Sequence, residues 1–145
     1  MRVLFDTNVI VDVLQQREPW FADGRKLFLA VATRQIVGCF TAKQAADIHF
    51  FSKKQFKGEE HVDEMARQVV AKLYAIFELL DAMGSDCQSA LAVPNNDYED
   101  AMLITAALRE HVDCIVTRNP DHFRVSQIPA YAPDELLKQL EQKSE

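Results

Sequence analysis

The sequence predicts an α/β protein with a mostly parallel central sheet that helices cover on both faces. The first observation is alternation: short apolar runs, such as residues 3–5 and 36–40, are separated by longer segments with helical periodicity, and this order implies βαβ units. The second is that these runs are continuous, which is typical of strands buried on both faces. Crossovers in such a sheet are right-handed, and ligands bind beyond the carboxyl ends of the strands.

The first half of the chain is predicted to contain two or three strands and four helices. The opening strand ends at a carboxylate, Asp6, and this side chain or that of Thr7 or Asn8 can cap the next helix. Pro19 suits the first turn of the second helix, and Thr41 is a suitable cap for the third. The predicted segments are strand 3–5, helix 8–16, helix 19–34, strand 36–40, helix 42–56 and segment 62–80, which begins as a helix and can end as a strand at 77–80.

The second half continues the same alternation. A short helix opens on Ser85 or Asp86. The longer helix that follows can be capped by Asn96 or Asp97. Asn-Pro and Asp favour a turn after the next strand for backbone reasons. The predicted segments are helix 85–93, helix 94–111, strand 112–117, turn 119–123 and a last strand and helix within 130–140.

Composition and charge limit the class of protein. A length of 145 residues, 48% hydrophobic and 26% charged, predicts one globular domain over residues 1–145. The N-terminus does not resemble a signal peptide, and no stretch approaches the roughly 20 apolar residues that cross a bilayer. The expected location is cytoplasmic, without a membrane partner. The net charge of −6 argues against broad electrostatic attraction to nucleic acid but leaves open a local site where metal ions offset carboxylates.

The cysteines and histidines give no metal-binding signature of their own. Cys39, Cys87 and Cys114 are widely spaced without a CxxC motif, so we expect buried free thiols. The four histidines include no HxxxH pair, which argues against a zinc-peptidase helix. A metal site in this chain would therefore depend on oxygen ligands.

Asp100 is a carboxylate on a helix side that otherwise faces the core. At helical spacing it shares this side with Ile104 and Leu108, and Asp97 lies one turn earlier on nearly the same face. Acidic residues also favour helix N-termini, by about 0.3–1 kcal/mol each. That preference is a sufficient reason for Asp97 and Glu99, but it does not explain why Asp100 shares the apolar side.

Further oxygen donors follow two other strands. Asp47 lies in the helix after the second strand, with Phe50 three positions on, and such a carboxylate either reaches solvent at a boundary or holds a ligand. Thr117, Asn119 and Asp121 lie just past a later strand, where turn chemistry alone also favours such residues. The aspartates that we assign to solvated faces, caps and loops are Asp12, Asp23, Asp63, Asp81, Asp113 and Asp134.

Carboxylates from separated segments that converge on one edge of a sheet repel one another. An isolated carboxyl has a pKa of about 4, and crowding several of them raises some pKa values and costs stability. A divalent cation with hard oxygen ligands offsets this charge, and Mg²⁺ or Mn²⁺ suits Asp, Asn and Thr oxygens. Such ions bind phosphate oxygens, activate water and stabilise a leaving oxygen. Metal-dependent phosphodiester hydrolysis is therefore the leading hypothesis.

Four segments together resemble the PIN (PilT N-terminus) domain family of nucleases, many of which are VapC-type toxins of bacterial toxin–antitoxin pairs. They are VLFDTNVIVDVL with Asp6, TAKQAADI with Asp47, YEDAMLITAA with Asp100, and IVTRNPDHF with its Thr-x-Asn turn. The resemblance runs from residue 2 to about 131 and implies a three-layer α/β/α sandwich with a parallel sheet. It also implies Mg²⁺- or Mn²⁺-dependent cleavage of single-stranded RNA, neutralisation by an antitoxin that inserts a segment into the acidic groove, and a homodimer.

The resemblance assigns roles to the candidate residues. Asp6, Asp47 and Asp100 would hold one or two ions, and Asn119 or Asp121 would complete the site. The chain departs from the family at two places, because the second acid is usually Glu and the fourth is often Asp. Asp47 is one methylene shorter than Glu, and Asn119 is neutral. The residues that would orient ligands or phosphate are Thr7, Asn8, Asp97 and Thr117.

Two alternatives stay open at this point. A strand-terminal Asp also serves aspartyl phosphotransferases of the haloacid dehalogenase type, but their chemistry requires an acid two positions later, where this chain has Asn8. The two departures also leave open a PIN-like module that binds RNA or an antitoxin without cleaving. The basic residues near the groove, which either contact RNA or are solvated charges, are Lys43, Lys53, Lys54 and Arg118.

Overall fold

The computed structural model describes residues 1–144 and contains a five-stranded sheet in which all paired strands are parallel. The strands are β1 (Arg2–Phe5), β2 (Val37–Thr41), β3 (Glu78–Leu80), β4 (Cys114–Val116) and β5 (Ala130–Tyr131). They stand in the order β3-β2-β1-β4-β5, with β1 in the centre. The predicted α/β fold with a mostly parallel sheet is confirmed.

Seven α-helices and one short 3₁₀-helix (Pro120–Phe123) complete the described part of the chain. The second α-helix begins at Phe21, so the prediction that Pro19 lies in its first turn is wrong. The amide of Trp20 instead donates a hydrogen bond to the carbonyl oxygen of Arg17 (3.1 Å) and closes a separate turn. The α-helices are α1 (Thr7–Leu14), α2 (Phe21–Ala32), α3 (Ala42–Gln55), α4 (Val62–Tyr74), α5 (Gly84–Ala90), α6 (Tyr98–Arg109) and α7 (Pro133–Lys143).

Side chains alternate between the two faces of the sheet, and helices cover both. Val3 and Phe5 of β1 belong to one core cluster, whereas Leu4 belongs to the other. The first cluster includes residues of α1, α2, α3, α4 and α7, and the second includes residues of α6 and the 3₁₀-helix. Helix α5 packs against α6. This arrangement is the three-layer sandwich that the resemblance implied.

Thr41 and Gln44 shape the junction where β2 turns into α3. The amide of Gln44 donates to Oγ1 of Thr41 (3.3 Å), and the amide of Thr41 donates to Oε1 of Gln44 (2.8 Å), which is a capping box. The Nε2 group of the buried Gln44 also donates to the carbonyl oxygen of Phe5 (2.7 Å). The predicted Thr41 cap is confirmed, and Gln44 ties the carboxyl ends of β1 and β2 together.

Helix α6 places its first turn at the same edge of the sheet. Asp97 accepts a hydrogen bond from the amide of Asp100 (3.0 Å) and caps the helix, which therefore begins later than predicted. Ile104 and Ala107 are buried, whereas Leu108 is 42% exposed. The prediction that Leu108 continues the core-facing side is wrong, because a row of i, i+4 positions drifts about 40° per step around a helix.

Neither a membrane-spanning helix nor a disulfide occurs in residues 1–144. No helix there combines the length and apolar character needed to cross a bilayer. All three cysteines are free, and Cys39 and Cys114 are buried as expected, whereas Cys87 is partly exposed.

Gly38 offers a test of how tightly β2 packs. A Cβ atom added there would lie 2.7 Å from the Phe77 ring and 2.7 Å from Cγ2 of Val31, which is closer than carbon atoms approach without strain. We expect Gly38→Ala to lower the free energy of unfolding by about 1–3 kcal/mol in urea denaturation. In the matched control, Gly84→Ala, nothing lies within 4 Å of the added atom, so stability should stay equal or rise. Equal losses in both variants would contradict this packing.

Candidate metal centre

A cavity of about 350 Å³ opens at the carboxyl edge of the sheet, and we call it the acidic cavity. Carboxylates reach it from the end of β1, from α3, from α5 and from the start of α6. Its acidic lining residues are Asp6, Asp47, Asp86, Asp97, Glu99 and Asp100. The other polar residues at its wall include Thr7, Asn8, Lys43, Asn119 and His122.

Asp6 lies at the point where β1 ends and is only 8% exposed. Its amide donates to the carbonyl oxygen of Val116 (2.9 Å), which continues the pairing of β1 with β4. Oγ1 of the buried Thr117 donates to Oδ2 of Asp6 (2.8 Å), and the amide of Asn119 donates to that same Oγ1 (3.1 Å). Thr117 therefore connects the loop after β4 to the carboxylate at the end of β1.

The pKa of Asp6 is raised above its usual value. Burial is the largest cause, because a charged carboxylate loses its hydration, and the negative charge of Asp97 acts in the same direction. The hydrogen bonds from Thr117 and from the amide of Thr7 oppose the shift without cancelling it. Within residues 1–144, no Lys or Arg forms an ion pair with Asp6 that would neutralise it. The positive charge of Arg118 lowers the pKa of Asp6, but burial outweighs it.

Asp100 shares this electrostatic environment. Burial, followed by the charges of Asp6 and Asp97, raises the pKa of Asp100 to about 6. Nδ1 of His122 lies 3.1 Å from Oδ2 of Asp100 and partly opposes this shift. The carboxylates at the end of β1 and at the start of α6, which come from opposite halves of the chain, are thus close enough to interact.

His122 joins the acidic residues in a way that the sequence did not indicate. One ligand atom from each of Asp97, Asp100 and His122 lies within 4.8 Å of the other two. A search for paired histidines on a helix misses this group, because His122 follows β4 and meets α6 only in the folded chain. One sequence feature could have indicated His122: it lies in the turn after β4, and β4 ends at the same edge of the sheet as Asp6.

Asp47 lies in the wall of the acidic cavity but is already engaged by a cation. Nζ of Lys43 is 2.5 Å from Oδ2 of Asp47 and 3.1 Å from Oε1 of Glu99. Burial lowers the pKa of Lys43, but its hydrogen bonds to both carboxylates outweigh burial and raise the pKa overall. The i, i+4 spacing of Lys43 and Asp47 is a local signal from which this pair could have been predicted.

The remaining candidates divide between the cavity and its surroundings. Thr7, Asn8 and Asn119 line the cavity, and Oγ1 of Thr7 accepts a hydrogen bond from Gln44 (3.2 Å). Asp121 lies outside: its side chain is 79% exposed, and its Oδ1 is 2.5 Å from Nε of Arg124. The structure thus brings Asp6, Asp47, Asp97, Asp100 and Asn119 to one cavity, and it does not bring Asp121 there.

A buried ion pair lies behind the loop that carries Thr117 and Asn119. Asp12 is 1% exposed, so its assignment to a solvated face is wrong. Oδ2 of Asp12 is 2.8 Å from Nε of Arg118, whose guanidinium carbon lies 4.1 Å from the centre of the Trp20 ring. Neither carboxylate oxygen of Asp12 accepts a hydrogen bond, so attraction between charges dominates this contact. Arg118 is therefore not a freely solvated charge: its side chain is 21% exposed and pairs with Asp12.

The residues at the acidic cavity fit a hard divalent cation. Carboxylate oxygens of Asp97 and Asp100 lie within 4.8 Å of each other, Asp6 lines the same cavity, and Mg²⁺ and Mn²⁺ prefer oxygen ligands of this kind. Burial raises the pKa values of Asp6 and Asp100, because their charged forms lose hydration in the cavity. A cation would remove this cost, and binding to the folded state alone would stabilise the fold.

The fold and the site together define an α/β protein with a carboxylate-lined site at the carboxyl edge of a parallel sheet. The chain belongs to the PIN domain family, whose model matches residues 2–121. The resemblance inferred from the four sequence segments is therefore confirmed.

Several solved structures share this fold at low sequence identity. VapBC2 from Rickettsia felis bound to a promoter DNA fragment is 13% identical with a TM-score of 0.66, over 91% of this chain and 98% of that chain. FitAcB from Neisseria gonorrhoeae is 14% identical with a TM-score of 0.66, over 90% and 97%. DNA-bound VapBC from Salmonella typhimurium is 18% identical with a TM-score of 0.64, over 92% and 98%. No curated protein sequence matches the chain significantly.

The raised pKa of Asp100 predicts a pH-dependent cost in stability when no metal is present. Between its usual value of 3.8 and about 6, the folded state holds the proton more tightly, so stability falls as pH rises through this window. We expect Asp100→Asn to raise the free energy of unfolding in EDTA by about 1–3 kcal/mol at pH 7.5, with the gain vanishing near pH 4. The exposed Asp134→Asn is the control and should show no such gain. A destabilised Asp100→Asn at pH 7.5 would refute the repulsion.

The buried pair of Asp12 and Arg118 predicts a large stability effect at neutral pH. Arg118→Met leaves a buried carboxylate without its nearest cation, and we expect a loss of about 3–5 kcal/mol in the free energy of unfolding. Arg124→Met removes the exposed pair with Asp121 in the same loop and should cost less than about 1 kcal/mol. Urea denaturation of both variants measures the difference, and similar losses would show that the Asp12 pair contributes no more than a surface pair.

Proposed function

We propose that this PIN domain protein is a Mg²⁺- or Mn²⁺-dependent endoribonuclease that hydrolyses RNA phosphodiester bonds. The observation that carries the proposal is the interaction of Asp6 and Asp100 in one cavity at the carboxyl edge of the sheet. Two carboxylates with raised pKa values and no neutralising Lys or Arg form the kind of site that a divalent cation stabilises. An exposed phosphodiester could reach this cavity from solvent.

The chain's own residues have distinct roles in this proposal. Asp6, Asp100 and Asp47 would hold the cation, with Asp97 beside them. Bound there, a divalent cation supplies positive charge to phosphate oxygens and lowers the pKa of water. The buried hydroxyl of Thr117 orients the carboxylate of Asp6. Thr7 and Asn8, at the cavity wall, would orient the phosphate.

We assign the fourth place of the site to Asn119 rather than Asp121. Asn119 lines the acidic cavity. Its backbone amide donates a hydrogen bond to the Thr117 hydroxyl, which in turn donates to Asp6. Asp121 is exposed and paired with Arg124. A neutral amide contributes an oxygen ligand without a charge, so the site attracts a second cation less strongly than a site with four acids would.

We further propose that the protein is the toxin of a toxin–antitoxin pair. Structural neighbours with the same fold are complexes of this kind, such as the toxin–antitoxin complex from Klebsiella pneumoniae, which is 18% identical with a TM-score of 0.64. An antitoxin segment with basic side chains would suit the acidic cavity and would compete with a cation there. This proposal includes the homodimer that the family resemblance implies. It also includes a cytoplasmic location, since the substrate is cellular RNA.

A second candidate function is a PIN module that binds RNA or an antitoxin without cleaving. The specific observation in its favour is the ion pair between Asp47 and Lys43, which occupies the second acid of the site. The neutral Asn119 acts in the same direction. The phosphotransferase alternative is not retained, because the chain belongs to the PIN family and has Asn8 where that chemistry requires an acid.

A cleavage assay tests the nuclease. The chain is incubated with a panel of structured RNAs, with Mn²⁺, with Mg²⁺ or with EDTA. We expect cleavage only with metal, and Asp6→Asn and Asp100→Asn should each lower the rate by about a hundredfold or more, because each removes a carboxylate that holds the cation. Asn119→Ala should lower the rate, whereas Asp121→Asn should not.

The cleavage assay includes a control variant, and thermal melting with Mn²⁺ measures metal binding independently of cleavage. Asp134→Asn, an exposed acid on α7, should retain the unmodified rate. Mn²⁺ at about 100 times its Kd should also stabilise the chain by roughly 2.7 kcal/mol, seen as a higher melting temperature that Asp100→Asn diminishes. Stabilisation by metal without cleavage of any RNA would favour the non-cleaving module, and unchanged cleavage in Asp6→Asn would refute the site.

A further inference from the structure

We propose that a basic surface beside the acidic cavity binds single-stranded RNA and directs it into the cavity; the inference rests on the proposed function. The surface lies on the second half of α3 and the loop that follows it. We call it the lysine surface, and it consists of Phe50, Lys53, Lys54, Lys57, Gly58 and Val62.

The lysine surface is concave and carries three positive charges, and the exposed Glu59 and Glu60 follow it in the loop without lining it. It encloses about 340 Å³, and no acidic residue lines it. Lys53, Lys54 and Lys57 are exposed, and the lysine ion pairs found in residues 1–144 are those of Lys43. The ammonium groups of Lys53, Lys54 and Lys57 therefore form no ion pair within these residues and are available to phosphates.

Phe50 joins the lysine surface to the acidic cavity, because its ring lines both. The residue is 56% exposed, and its ring meets that of Phe51 edge to face at 5.9 Å. Nζ of Lys54 lies 5.1 Å from the centre of the Phe50 ring. An exposed ring beside a cation can stack on an unpaired base while the cation contacts the adjacent phosphate.

The charge distribution makes such a local surface necessary for RNA binding. With a net charge of −6, the chain as a whole repels a polyanion, and the acidic cavity repels it most strongly. Attraction must therefore come from a restricted region next to the cavity. Asp47 and Lys54 are seven residues apart on α3, or about 10 Å along the helix axis. A strand with one phosphate at the cavity has neighbouring phosphates within reach of the lysines.

The combination of groups favours a single-stranded nucleic acid over other anionic ligands, and the proposed function makes that strand RNA. Stacking on Phe50 requires a base that is not stacked within a duplex. An acidic peptide would use the lysines alone, without the ring or the continuity with the cavity. A chain that carries phosphates and planar bases uses all three features of the surface.

The binding test uses the full chain, a fluorescent unstructured single-stranded RNA and EDTA, with fluorescence anisotropy measured over a series of salt concentrations. The triple variant Lys53→Gln, Lys54→Gln, Lys57→Gln should weaken binding about tenfold or more at low salt. It should also reduce the magnitude of the slope of log K against log salt by about 2, because each phosphate contact on a single strand contributes about 0.7.

Matched variants separate the surface from general charge effects. Lys26→Gln, Lys138→Gln, Lys143→Gln removes the same charge from α2 and α7, and it should leave the slope unchanged. Phe50→Leu should weaken binding about five- to a hundredfold without altering the slope, because it removes stacking and no charge. Circular dichroism melting confirms that the variants stay folded.

The outcomes distinguish this inference from the nuclease proposal. RNA binding whose slope is the same in the two triple variants would overturn the inference, as would tighter binding of polyglutamate than of RNA, which would assign the surface to an acidic protein. Binding through the lysines without cleavage in Mn²⁺ would support the inference and reject the nuclease. Cleavage with equal KM in both triple variants would support the nuclease and overturn the inference, and neither binding nor cleavage would reject both.

Discussion

The burial of Asp6 and Asp100 beside other carboxylates is the constraint on which the rest of the site depends. A parallel sheet ends all of its strands at one edge, so residues that are remote in sequence meet there. Asp6 is placed by β1 and by the hydroxyl of Thr117, and Asp100 is placed by the first turn of α6. The backbone of each residue is therefore fixed by a strand end or by a helix cap. The fold therefore holds carboxylates there at a cost in stability, and in the proposed function a bound cation would remove that cost and supply the chemistry.

Features of this chain that depend on local sequence could be predicted, and those that depend on tertiary pairing could not. The parallel sheet, the Thr41 cap and a cap at Asn96 or Asp97 follow from apolar runs and from side chains near them in sequence. The burial of Asp12 could not be predicted from its own helix, because its partner Arg118 is brought close only when β4 pairs with β1. The contact of His122 with Asp100 likewise requires the loop after β4 to meet α6.

The distribution of charge matters more here than its sum. The net charge argued against broad attraction to nucleic acid, and the structure shows acids concentrated in one cavity with lysines on the adjacent part of α3. A polyanion that approaches this edge meets attraction from the lysines and repulsion from the cavity until a cation is bound. Salt screens exposed charges over about 8–10 Å, so only groups within a few nucleotides of the cavity can influence where a strand enters.

The strength of the ion pair between Lys43 and Asp47 separates the nuclease from the module that only binds, because it decides whether Asp47 is available to a cation. The ammonium of Lys43 pairs with Asp47, but both side chains are 35% exposed, and exposed pairs of this kind contribute only about 0–1 kcal/mol. The same ammonium also contacts Glu99, so it keeps a partner if Asp47 turns toward a cation. A divalent ion between Asp6 and Asp100 attracts a nearby carboxylate more strongly than a single exposed ammonium does. The weakness of the Lys43 pair is therefore a physical reason to prefer the nuclease to the module that only binds.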